Sequence, residues 1–242
     1  MKATITGING FIGSALNKRL LTMGWETTPV LSPLSNYVFL FGSPSSDYWF
    51  LAAKSYSLRE TIDNFISVAD FCQFHQIKLI YPSSGTVYEG TTPYAITKKI
   101  IEEIASMYKN TLGFRIFAGY GPDEGHKGEY ASIIYKFIMD MKHGKRPMIY
   151  GDGYQTRDFV YIDDIVQRII LFRDMDGVLD IGTGFSTSFN DVIHLIDNKL
   201  HTGIKPLYVD KPVGYIEETV CPNPFRPSIS VNDGINHIIE SL

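Results

Sequence analysis

The chain has 242 residues, of which 44% are hydrophobic and 20% charged, with a formal net charge of -4. That is enough apolar material for one globular unit with a substantial core, and the mildly acidic balance argues against a nucleic-acid surface. No stretch approaches the ~20 apolar residues of a membrane span and Met1 to Gly10 holds no signal-peptide core, so no membrane partner and a cytoplasmic location are expected.

A short strand over Lys2 to Thr6 runs straight into Gly7-Ile8-Asn9-Gly10-Phe11-Ile12-Gly13, and a helix follows with Ala15, Leu16, Leu20 and Leu21 at helical spacing. Glycines at a strand-to-helix turn let the backbone approach a pyrophosphate, whose charge the helix N-terminus then meets. The spacing is G-x-x-G-x-x-G rather than G-x-G-x-x-G, which points to a subset of dinucleotide folds; a glycine-rich turn without a ligand is the bland alternative. A second strand is expected at Thr27 to Leu31 and a third at Asn36 to Gly42. Next come a helix from Leu58 to His75 and a buried strand from Lys78 to Tyr81 that leads to the Ser83-Ser84 turn.

The helix expected from Pro93 to Tyr108 carries Tyr94 and Lys98 in its first turns and buries Ile100, Ile101, Ile104 and Ala105 on one face. Positions i and i+4 share a helix face, so the Lys98 ammonium can favour the ionised form of the Tyr94 phenol. A phenol with a pKa of ~10 needs that help to act as a base near neutral pH. Ser84 can hydrogen-bond the same substrate oxygen. On a lone surface helix the same pair would mean only a solvated face.

After Pro122 a helix with Ile133, Ile134, Phe137, Ile138 and Met141 precedes a loop at Arg157; Val178 to Gly182 is expected as a last central strand, and Pro222 to Pro227 is the most loop-like stretch. Strands alternating with helices make a parallel sheet covered on both faces. Cys72 and Cys221 form no disulfide framework, Cys72 being expected as a buried thiol, and the six histidines lack ligand spacing, so no metal is assigned.

The segment Tyr150-Gly151-Asp152-Gly153-Tyr154-Gln155-Thr156-Arg157-Asp158-Phe159-Val160-Tyr161-Ile162-Asp163-Asp164 resembles the "YGDG-Q-RDFVYVDD" segment of extended short-chain dehydrogenase/reductases, the nucleotide-sugar epimerases and dehydratases. Phe114-Arg115-Ile116-Phe117-Ala118-Gly119-Tyr120-Gly121-Pro122 is similar to their "R-x-F-N-x-Y-G-P" strand, and the motifs stand in the family's order. The resemblance implies an α/β Rossmann-type doubly wound parallel sheet, mainly within residues 1–122, and a small substrate-binding lobe mainly within 123–242, from which a strand near 178–182 returns to the core. It implies NAD as cofactor, with NADP left open, and a nucleotide sugar as substrate.

Carried over on that resemblance, Tyr94 is the acid/base, Lys98 its activator and ribose ligand, and Ser84 the orienting hydroxyl. Gly7, Gly10, Phe11, Ile12 and Gly13 line the pyrophosphate, Phe41, Gly42, Ser43 and Phe117 lie nearer the nicotinamide, and Ser32 lies near the adenosine ribose. Arg157 clamps the substrate diphosphate, and Arg226 is offered as a second clamp or else as an ordinary surface arginine. Helices near 58–75 and 93–108 imply a homodimer, for which Phe65, Val68, Phe71, Ile101 and Ile104 offer more apolar bulk than one inward face needs.

Departures from the pattern matter as well. Only about a dozen residues run from the start of the second predicted strand into Tyr37-Val38-Phe39-Leu40 of the third, so the family's usual third strand and its helix are expected to be missing. Neither an acid nor an arginine stands at Leu31 or Ser32, where the adenosine ribose would be read. The Ser84 to Tyr94 gap is short, and Ala118 replaces the family's usual asparagine. Gly85-Thr86 stands where dehydratases carry Asp-Glu and resembles the Ala-Thr of UDP-glucose 4-epimerase-like members. An NAD-dependent epimerase acting by transient oxidation, at C4, is therefore the favoured expectation. A nucleotide-sugar reductase, dehydrogenase or dehydratase is the nearest alternative, and a non-catalytic nucleotide-binding or scaffold protein is the alternative from another class.

Overall fold

Short apolar runs bounded by turn residues become parallel strands, and the longer amphipathic runs between them become covering helices. The computed structural model describes residues 1–44, 50, 53–88, 90–212 and 215–242. Two units are distinguished: residues 1–116 with 165–180, and residues 117–164 with 181–242.

The first unit holds β1 (Lys2–Thr6), β2 (Glu26–Thr28), β3 (Tyr37–Leu40), β4 (Lys78–Ser84), β5 (Thr111–Ile116) and, ninth in chain order, β9 (Gly177–Ile181). They form one six-stranded sheet in the order β2-β1-β3-β4-β5-β9, and the pairs from β2 through β5 are parallel. Ala3, Ile5, Val38, Phe39, Leu79, Ile80, Leu112 and Phe114 are buried, the near-continuous apolar strands of a sheet covered on both faces. Helices α1 (Phe11–Thr22), α2 (Lys54–His75) and α3 (Pro93–Ala105) belong to this unit.

Several predicted boundaries move. The second strand ends at Thr28 rather than Leu31, because Pro29 withholds a ladder N–H and the Thr28 hydroxyl turns the chain by accepting the Val30 N–H at 3.2 Å. The strand expected to be last and central, β9, lies at the sheet edge. The third helix ends at Ala105, short of Tyr108.

Among the described residues the sheet begins at β2, with no further strand outside it. Residues 29–36 alone connect β2 to β3, two parallel strands on either side of β1, where a crossover of a dozen or more residues with a helix is usual. Polar contacts hold this short link. Thr4 of β1, fully buried, shares a 2.9 Å hydrogen bond with the Ser35 hydroxyl and donates to the Val30 carbonyl. Asn36 bonds both polar groups of the Lys2 backbone.

Phe65, Val68 and Ile101, expected to supply a surface for a second copy, are instead buried in this unit's own core, with Phe71 and Ile104 packed against it. Cys72 is in the same cluster, and burial pushes its thiol up to about 12.

The second unit contains a three-stranded sheet, β10-β8-β6, built from β6 (Ala118–Tyr120), β8 (Thr156–Tyr161) and β10 (Ser186–Ser188). The same unit holds a parallel pair of strands, β7 (Met148–Tyr150) and β11 (Leu207–Val209), and helices α4 (Ile133–Lys142), α6 (Phe189–Leu200) and α7 (Val231–Ser241). Helix α5 (Ile162–Phe172) crosses the division at Asp164.

Candidate active site

The glycine turn is fixed by close approach. Gly7 has φ +68, a conformation that L side chains rarely adopt, and a Cβ there would stand 2.7 Å from Gly42 backbone atoms after β3. At Gly13 a Cβ would meet the Gly7 carbonyl oxygen at 2.1 Å. The Gly10 N–H donates to that same oxygen at 2.8 Å. Gly10 is the N-cap of α1 and offers no side-chain bond to the helix amides. Bare backbone therefore faces outward at the C-terminal ends of β1 and β3, the point where strand order reverses. Phe11, Ile12 and Gly13 begin α1 there, and Phe41, Gly42 and Ser43 follow β3. Ser32 sits four residues beyond the end of β2, its hydroxyl accepting the Leu34 N–H in a local turn.

Tyr94 and Lys98 lie on α3, which starts with Thr92 as N-cap, accepting the Ala95 N–H, and Pro93 at its first turn. Lys98 is 3% exposed, so it is no member of a solvated face. Its amine donates to the Pro82 carbonyl at 3.1 Å and stands 5.6 Å from the centre of the Tyr94 ring. Burial drives the lysine pKa down to about 8, opposed by the charge of Glu102. Phe50 meets the Tyr94 ring edge-on at 5.6 Å.

Ser84 ends β4 and caps the short 3-10 turn Gly85–Val87. Its oxygen accepts the Thr86 N–H at 3.3 Å and pairs with the Thr86 hydroxyl at 3.0 Å. With Thr86 as donor in both, these two bonds leave the Ser84 hydroxyl hydrogen unused. The Gly90 N–H donates to the Thr86 carbonyl, which ties this turn to the start of α3. A small cavity in the same unit is lined by Ser43, Asn64, Tyr81, Pro82 and Lys98 among others.

Within the second unit the "RDF" segment has another character. Asp158, fully buried, accepts the Thr183 N–H and hydroxyl, the Gly184 N–H and the Cys221 N–H at 2.7–3.1 Å. Asp164 accepts the N–H groups of Ser228 and Ile229. Arg157 donates to the carbonyls of Thr156, Ile216 and Glu217 and lies over the rings of Phe189 and Tyr215. Its fork is thus first a brace for the 216–217 segment. Arg226 is exposed between the stretches that Asp158 and Asp164 hold. Phe117 is buried in this unit, where a Cβ on Gly182 would touch it.

Sequence reasoning passed over Glu102 and Arg115. The carboxylate of Glu102 receives Arg115 Nε at 2.9 Å and Nη2 at 2.7 Å, and also the Ser83 hydroxyl. The signal was present as an acid four residues beyond Lys98 on one helix face. Among the described residues no cluster of His, Cys, Asp or Glu is placed to hold a metal ion, and no helix is long and apolar enough to cross a membrane.

Residues 34–182 match the NAD dependent epimerase/dehydratase family. Among solved structures the chain is similar to the UDP-glucose 4-epimerase of Thermotoga maritima, solved with UDP-glucose, at TM-score 0.91 and 20% identity over 99% of this chain and 98% of that one. It is similar to the Thermus thermophilus UDP-glucose 4-epimerase, solved with NAD, at TM-score 0.89 and 18% identity over 99% and 98%. A third is TunA, an NAD-dependent NDP-hexosamine 5,6-dehydratase of tunicamycin biosynthesis, at TM-score 0.87 and 20% identity over 99% and 97%.

Proposed function

Since the chain belongs to the NAD dependent epimerase/dehydratase family, we propose that it is a nucleotide-sugar epimerase that oxidises a sugar hydroxyl, at C4, and reduces the resulting ketone from its other face. The observation that carries this reading is the buried Lys98 amine beside the Tyr94 ring, one helical turn apart in a helix whose start is tied to the Ser84 turn. A buried cation held by one neutral carbonyl is costly to keep, and a neighbouring phenol that must ionise gives it a use.

The residues fit a dinucleotide. Gly7, Gly10 and Gly13 form a cradle that side chains would fill, and the first amides of α1 have no side-chain cap. NAD, when bound, would supply the hydride acceptor. Tyr94 as phenolate takes the proton from the sugar hydroxyl and returns it after the sugar has turned. Lys98 stabilises that phenolate, and the Ser84 hydroxyl donates to the same sugar oxygen. Gly85-Thr86 after Ser84 provide no acid and base to expel water, which favours epimerisation over dehydration. In the second unit Arg157 and Arg226 are the candidate diphosphate ligands, Arg157 sharing its donors with backbone carbonyls.

Assembly as a homodimer is also proposed, now resting on the exposed Ile96, Ile100 and Phe74 rather than on side chains buried in the core. Light scattering at micromolar concentration checks it. The function is tested by incubating the protein with UDP-, GDP-, dTDP- and CDP-sugars and resolving products by NMR. An epimer without net cofactor reduction is expected; loss of water, or net hydride transfer, would replace this reading with a dehydratase or a dehydrogenase.

A further inference from the structure

Resting on the Tyr94 and Lys98 assignment above, we propose that Glu102 is a positioning residue of the same site. It grips the strand end that carries Pro82 and Ser84, and it places a negative charge one helical turn from Lys98, so that the amine stays both seated and protonated.

The geometry begins on β4. Three consecutive residues at its end each have a separate partner: the Pro82 carbonyl accepts from Lys98, the Ser83 hydroxyl donates to Glu102, and the Ser84 oxygen accepts from Thr86. Neighbouring side chains of a strand point to opposite faces. Fixing Ser83 therefore fixes the carbonyl before it and the hydroxyl after it. Glu102 is 11% exposed at its side chain and takes Arg115 in the bidentate, charge-assisted arrangement. Arg115 donates in turn to the Tyr88 hydroxyl at 2.8 Å, and Tyr88 to the Asp180 carboxylate at 2.8 and 2.9 Å. One polar chain thus joins α3, β4, β5 and β9.

A simple clamp between α3 and β5 would explain the Glu102–Arg115 pair alone. It does not explain the further bond from Ser83, between the carbonyl that seats Lys98 and the Ser84 hydroxyl, nor the countercharge that Glu102 sets one helical turn from the amine. The other groups around the amine leave that task to it. Tyr94 is the phenol to be ionised, Tyr81 of β4 is held neutral by burial, and Thr61 and Asn64 of α2 and Ser43 after β3 do not titrate.

The test is a lysine titration that needs no substrate. Protein carrying 13C-labelled lysine is followed by NMR from about pH 6 to pH 11, the Lys98 signal being identified by its loss in K98M. The wild-type midpoint is expected at about 8. In E102Q it should fall by roughly half a unit or more, whereas E102D, which keeps the charge, should stay within roughly 0.3 of wild type. R115Q removes the cation that offsets Glu102 and should raise the midpoint. A midpoint unmoved in E102Q overturns the inference and leaves Glu102 a clamp. If E102Q fails to fold, an unmoved midpoint in R115Q does the same. A full sugar turnover rate in Tyr94→Phe would instead overturn the underlying assignment, and that outcome is read separately.

Discussion

The charged groups around Lys98 in the first unit and around Asp158 in the second are both buried and both carried by motifs visible in the sequence, yet they are satisfied in opposite ways. Asp158 accepts four hydrogen bonds from Thr183, Gly184 and Cys221. Lys98 makes one, to a neutral carbonyl, and burial lowers its pKa to about 8. A buried carboxylate taken up by backbone amides and a hydroxyl holds a loop in place. A buried ion left with one weak acceptor is poised to interact with something else, and here the neighbour is Tyr94. Charge and burial alone do not separate a strut from chemistry; the number and kind of partners do.

This contrast can be broken at either end. The largest effect is expected from Asp158→Ala, which orphans several buried donors at 1–3 kcal/mol each and should cost about 3–5 kcal/mol of stability; calorimetry or denaturant melting reads it. Lys98→Met should do the reverse. The lysine pKa is lowered from 10.5 to about 8, so the folded state binds fewer protons than the unfolded state between those values, and stability rises with pH across that window. Below pH 8 the burial penalty is fully present, on the order of 3 kcal/mol. Lys98→Met should therefore raise the melting temperature at pH 7, with the gain fading toward pH 10.5, while turnover and cofactor binding both suffer.

Tyr94→Phe should leave NAD affinity nearly unchanged and lower turnover by roughly 10²-fold, about 2.7 kcal/mol of barrier. The smallest effect concerns the adenosine end. With no acid or arginine at the end of β2 or in the turn after it, NAD and NADP should differ by less than about 30-fold in affinity, or ~2 kcal/mol, with NAD preferred. Titration calorimetry with both cofactors measures it, and a larger ratio means that another residue reads the ribose.

The parallel sheet, the glycine turn and the pairing of Tyr94 with Lys98 were legible because each depends on local spacing: period, turn residues, and i to i+4. The loss of the third strand was legible too, as a gap in length. What replaced it was not, since the bonds of Thr4 with Ser35 and Val30 join residues far apart in sequence. The same holds for Asp158 and Asp164, whose partners at 183–184, 221 and 228–229 only folding brings near. Helical periodicity offers Phe65, Val68 and Ile101 to an outer surface because it counts apolar residues without showing how wide a stripe the sheet and neighbouring helix will cover.

The central claim is that the buried Lys98 and its neighbour Tyr94 serve a reversible oxidation of a sugar. It is tested most directly with UDP-glucose deuterated at C4, incubated with the protein and NAD and followed by NMR together with absorbance of reduced cofactor. The account predicts a C4 epimer that keeps its deuterium at that carbon, with no net accumulation of reduced cofactor. Loss of the label to solvent during epimerisation, or stoichiometric build-up of reduced cofactor, would contradict it.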